Sequence, residues 1–101
     1  MLIQINTDKN ITVHEDYNTK LTTLLTEELH RFSPHITRLE LYLTDENGQK
    51  KGVKDKRCTL EARIAGLKPL AVSDLGDTYD LAVKGAILKM KTVLDTTLAK
   101  M

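Results

Sequence analysis

The densest run of chemistry-bearing side chains is Lys50, Lys51, Lys54, Lys56 and Arg57, five positive charges in eight positions with only Asp55 opposing them. Flexible ammonium groups spaced this closely suit neutralisation of a phosphate backbone and release of its counterions. A solvated hairpin tip that needs no partner fits the same residues. A second set of cations lies among apolar residues at helical spacing. Lys84 and Lys91, seven apart, share one flank of a stripe centred on Val83, Met90 and Leu94, and Lys89 and Lys100, eleven apart, share the other. Lys20 and Arg31, also eleven apart, share a flank of an earlier helix. Long cationic side chains commonly border an apolar stripe because their stems cover it. If the two helices lie side by side, however, some of these flanks line one basic groove. With no aromatic platform, such a groove suits the shape and phosphates of structured RNA rather than splayed bases.

Catalytic patterns are sparser. His14, His30 and His35 are not spaced i,i+4 and share no tight motif with an acid or a cysteine, and the chain has no CxxC or HxxxH pair. Cys58 falls on the apolar face of a strand with no base close in sequence, and reads as a small buried hydrophobe. There is no glycine-rich phosphate loop and no GxSxG elbow. Glu40 and Glu61 fall on the polar faces of neighbouring strands, where pairing with Arg38 and Arg63 is expected in preference to acid–base work. The expectation is a non-enzymatic protein without metal, cofactor or small-molecule substrate.

The elements that must position these residues are legible from periodicity. Leu2 to Asn6 alternates as a short strand. Thr12 to Glu15 offers a capping box, and Tyr17, Leu21, Leu24, Leu25, Leu29 and Phe32 recur at helical spacing from about Glu15 to Arg31, where Ser33-Pro34 stops the helix. Ile36 to Thr44 alternates strictly, with Leu39, Leu41 and Leu43 on one side. A turn from Asp45 to Gly48 leads into the basic loop. A strand with Cys58, Leu60, Ala62 and Ile64 on its apolar face follows. A tight connection over Gly66 to Pro69 leads to a third antiparallel strand, Leu70 to Asp74. Asp77 is the expected N-cap of a last helix, with Tyr79, Val83, Ala86, Ile87, Met90, Leu94 and Leu98 as its apolar stripe, running to the C-terminus. The predicted fold is α+β, in the order β-α-β-β-β-α, with the first two strands parallel and two helices on one face of a four-stranded mixed sheet.

The 101 residues suffice for one domain, 1–101, with a mainly aliphatic core, since 41% are apolar but there is no Trp. A formal net charge of +1 throws any electrostatic argument onto the distribution of charge. One cysteine excludes an internal disulfide and fits a reducing compartment. The first ten residues do not read as a signal peptide, and no apolar run approaches the ~20 residues of a spanning helix. A cytoplasmic protein with no membrane partner is expected.

The stretch ITRLELYLTDENGQKKGVKDKRCTLEARIAGLKPLAV, above all Asp55 to Arg63 followed by a Gly, a Pro and a short strand, resembles the middle of the ribosome hibernation-promoting factor family, also called the sigma-54 modulation or ribosome-associated inhibitor (protein Y) family. The last helix resembles that family's too, through Asp77, Asp80, Ala82, Gly85, Ala86, Lys89 and Met90. The resemblance implies a fold like that of double-stranded-RNA-binding domains. It also implies binding to ribosomal RNA of the small ribosomal subunit in the messenger and transfer RNA channel, and silencing of ribosomes under stress. On that reading Lys20, Lys84, Lys89 and Lys91 contact phosphates, and Lys50, Lys51, Lys54, Lys56 and Arg57 form a second contact. The protein is expected to be monomeric off the ribosome. Beyond Lys91 the chain carries Asp95, Thr96 and Thr97 where the family's helix carries further cations, so fewer phosphate contacts and a weaker salt dependence are expected. A regulatory protein-interaction module on the same fold, using the mixed charges of Arg38, Glu40, Tyr42, Glu61 and Arg63, is the alternative.

Overall fold

A computed structural model describes residues 1–8, 15–46 and 55–100. Apolar–polar alternation builds four strands, β1 (Leu2–Thr7), β2 (Ile36–Asp45), β3 (Lys56–Ile64) and β4 (Leu70–Gly76). Helical periodicity builds α1 (Glu15–Glu28) and α2 (Tyr79–Ala99). The sheet order is β1-β2-β3-β4. β1 is parallel to β2, and the remaining pairs are antiparallel, as a helical crossover followed by a meander requires. Leu39, Leu41 and Leu43 of β2 and Cys58, Leu60, Ala62 and Ile64 of β3 are buried on one face. Leu21, Leu25 and Leu29 from α1, and Val83, Ala86, Ile87, Met90 and Leu94 from α2, join the same cluster. Both helices therefore cover one face of the sheet, and the architecture is the expected α+β one. No described helix is long and apolar enough to cross a membrane.

β1 and β2 each run one residue further than expected, to Thr7 and Asp45, and three other boundaries differ for physical reasons. α1 stops at Glu28 rather than Arg31, and His30–Phe32 form a 3-10 turn. Phe32 N–H bonds Leu29 O at 3.0 Å there, so the chain tightens before Ser33-Pro34 while Phe32 stays in the core. The N-cap of α2 is Thr78, not Asp77. Thr78 is extended (φ −130°, ψ 161°) and its hydroxyl accepts from Leu81 N–H at 3.1 Å, one residue closer to the helix than Asp77. β4 runs two residues beyond Asp74 to Gly76, where a Cβ would lie 2.8 Å from Ala82 N, so only glycine lets the strand meet the start of α2. Thr12 of the capping box, His14, and the turn and loop residues 47–54 lie outside the described residues.

Candidate nucleic-acid interface

The two helices run in the same direction, laced along their seam from one end to the other. Near their starts, Tyr17 of α1 donates to Asp80 Oδ1 of α2 at 2.8 Å, and Lys20 Nζ lies 3.3 Å from Asp80 Oδ2. Further along, Lys91 Nζ of α2 lies 3.3 Å from Glu28 Oε2, and Arg31, just past α1, lies 2.8 Å from Asp95. The hydrogen bond from Tyr17, then Lys20 and the nearby Lys84, hold the Asp80 carboxyl below its ordinary range. Burial, and then the bond to Asp80, push the Tyr17 hydroxyl well above its own.

The structure thus sets three of the predicted phosphate contacts along the seam, Lys20 from α1 and Lys84 and Lys91 from the flank of α2 that faces it. Lys84 is exposed one turn after Asp80. Lys20, Lys91 and Arg31 each have a carboxylate partner across the seam, Asp80, Glu28 and Asp95 respectively, a pairing that the sequence did not reveal. No local spacing reveals these cross-helix pairs, because the two members of each come from different helices or their flanks.

Lys89 is not part of that group. It projects from the opposite flank of α2 towards β4, where Nζ donates to Ser73 O at 2.9 Å and lies 3.2 Å from Asp74 Oδ1. Asp74 follows Leu70 and Val72 on the helix-facing side of β4. Its carboxylate fits against α2 because residue 85 is glycine, where a Cβ would lie 2.7 Å from Asp74 Cγ. The signals were an acid in core register and a glycine inside a helix.

Lys56 and Arg57 open β3 and, being adjacent in a strand, turn to opposite faces. Lys56 lies 3.1 Å from Asp45 and 3.2 Å from Asp55, with its ammonium 5.8 Å from the Tyr79 ring centroid. Bonds to Asp45 and then Asp55 raise its pKa. Arg57 pairs with Glu46 and donates to Ser73 Oγ at 3.0 Å on the solvent face of the sheet. Lys50, Lys51 and Lys54 lie outside the described residues.

On that solvent face, register sets like opposite like: Glu40 faces Glu61 across β2 and β3, and Arg38 faces Arg63. Neutralisation runs along each strand instead. Arg38 donates to Glu40 at 3.0 Å and to Gln4, Tyr42 donates to Glu40 at 2.7 Å, and Arg63 lies 3.6 Å from Glu61. The bond from Tyr42, and then that from Arg38, lower the Glu40 pKa, the reverse of what a general acid needs. Cys58 is fully buried, and burial, with Asp74 opposite it, pushes its thiol up to about 12, far from a reactive thiolate. Among the described residues, no three His, Cys, Asp or Glu side chains gather as metal ligands.

No protein-family model matches the chain. No curated protein matches it in sequence. Solved structures do. A ribosomal subunit interface protein from Coxiella burnetii superposes with a TM-score of 0.77 at 17% identity, covering 98% of this chain and 99% of that one. The N-terminal domain of Thermus thermophilus Protein Y superposes with a TM-score of 0.74 at 13% identity, covering 96% and 99%. The chain has the fold of these two structures, which is the fold that the resemblance implies.

Proposed function

We propose that the chain is a non-catalytic, ribosome-associated RNA-binding protein of the hibernation type, a single cytoplasmic domain that occludes the decoding channel of the small subunit and represses translation under stress. The observation that carries this reading is the near full-length likeness to a ribosomal subunit interface protein and a Protein Y domain. The mechanism is exclusion, with no bond made or broken. Lys20, Lys84 and Lys91 would meet rRNA phosphates along the helix seam. Lys89 would approach from the far flank of α2, and Lys50, Lys51, Lys54, Lys56 and Arg57 would form the second contact. The carboxylates already beside Lys20, Lys56, Lys89 and Lys91 compete with phosphate, so affinity is expected to be modest.

Sucrose-gradient sedimentation of stationary-phase lysate tests the reading: the protein should travel with small subunits or whole ribosomes and be released by salt. Failure to co-migrate even at low salt overturns it. The neutralised cations favour a second reading, a regulatory protein-interaction module that uses the mixed charges of the sheet face and binds RNA weakly or not at all. Charge reversal at Lys84 and Lys91 separates the two, because it should abolish ribosome binding on the first reading and leave partner binding intact on the second.

A further inference from the structure

Among the described residues, β4 is an edge strand, paired only with β3. Its backbone orientation follows from the ladder. Glu46 N–H bonds Asp55 O at 2.8 Å between β2 and β3, so alternation turns the backbone groups of Arg57, Thr59 and Glu61 towards β2. Leu75, Ser73 and Ala71 stand opposite those three residues. Opposed residues in an antiparallel ladder exchange both bonds or neither. Ala71, Ser73 and Leu75 therefore turn their N–H and C=O groups away from β3, to the open side. Such an edge is a template for a further strand.

Beside it runs an apolar groove of about 400 Å³ between β4 and α2, lined by Val72, Leu88, Lys89, Thr92 and Val93. Leu88 at its rim is 65% exposed. A second copy of the chain completes both features by one two-fold rotation. Pairing β4 with itself about Ser73 sets Ala71 opposite Leu75 and lets all three residues of each strand exchange bonds. Because α2 covers β3 and β4, and strands lie about 4.8 Å apart, the two α2 axes would then stand roughly 10 Å apart, a normal helix-packing distance. Leu88 and Val93 of each copy would fill the other's groove.

One side chain opposes this. Lys89 bonds Ser73 O, one of the acceptors that would lie beside the two-fold axis. Pairing would strip that bond and bring two ammonium groups together at the axis. We propose that Lys89 is an edge guard that holds the chain monomeric by blocking self-pairing of β4, and that this is a role separate from any contact with RNA. Asp74 and the notch at Gly85 hold its ammonium in place.

Sedimentation equilibrium of the purified full chain tests this, by a readout of mass alone that does not depend on ribosome binding. The wild type and K89R, which keeps charge and donors, should be monomeric. K89Q should associate at least tenfold more strongly and form dimers. K89Q/S73P should return to monomer, because proline at 73 removes an edge N–H that β3 does not use. A K89Q protein with native circular dichroism that stays as monomeric as the wild type overturns the proposal. So does a wild type that dimerises, or a K89Q/S73P protein that dimerises as well as K89Q. Should K89Q not fold, K89M, of similar stem length, carries the same expectation.

Discussion

Lys91 Nζ lies 3.3 Å from Glu28 Oε2 across the seam of two helices that run in the same direction. A cation in position to meet phosphate is already met by a carboxylate. Glu28→Gln should therefore strengthen ribosome or RNA binding and steepen its log–log salt dependence by about one unit if one further phosphate is engaged. Filter binding over a salt series reads the slope. The stability cost should stay below about 1 kcal/mol, since exposed pairs contribute little.

Gly85→Ala should destabilise the protein by about 1–3 kcal/mol in urea titration, the usual cost of overpacking, despite alanine's better helix propensity. The added methyl would meet the Asp74 carboxylate. The double variant Gly85→Ala, Asp74→Ala should recover most of the loss.

Tyr17→Phe should cost about 1 kcal/mol at neutral pH, the net worth of a hydrogen bond, or somewhat more to a charged acceptor. The effect depends on acid. The Asp80 carboxyl is held below its ordinary value of 3.8, so its contribution is present above that pH and is lost as pH falls through the folded-state value. The difference between wild type and variant should shrink below pH 4 in denaturation measured stepwise into acid.

Cys58 supplies the alkaline counterpart. Its thiol is raised from 9.0 to about 12, so its contribution is complete below pH 9 and falls as pH climbs towards 12. Cys58→Ala should be less stable at pH 7, by about 1 kcal/mol for the small cavity, and should lose stability less steeply above pH 9. Chemical denaturation at pH 7, 9 and 10.5 reads both.

Local pattern was enough for every strand and helix, because each buries one regular face: Leu39, Leu41 and Leu43 at period two, and Val83, Ile87, Met90 and Leu94 at helical spacing. Ends were less legible. Thr78 and Asp77 are both good caps, and only the backbone turn decides between them. The candidate site was legible as a set of cations and as the flanks of α2 they occupy, but not as what each flank faces. Helical spacing puts Lys89 and Lys91 on opposite flanks, and only the structure shows that one meets β4 and the other α1. The acid beside Lys91 comes from an element 63 residues away, which no window of sequence contains, whereas Asp74 beside Lys89 is 15 residues away on the strand before α2.

That seam has a kinetic consequence. Its four links, Tyr17–Asp80, Lys20–Asp80, Glu28–Lys91 and Arg31–Asp95, join residues 63, 60, 63 and 64 positions apart. None can form until most of the chain has closed into one loop, whereas β2, β3 and β4 join through neighbouring turns. The meander should therefore assemble first and α1 dock late. In the native protein, α1 should also be the first element to open, its amides exchanging with solvent ahead of those in β3.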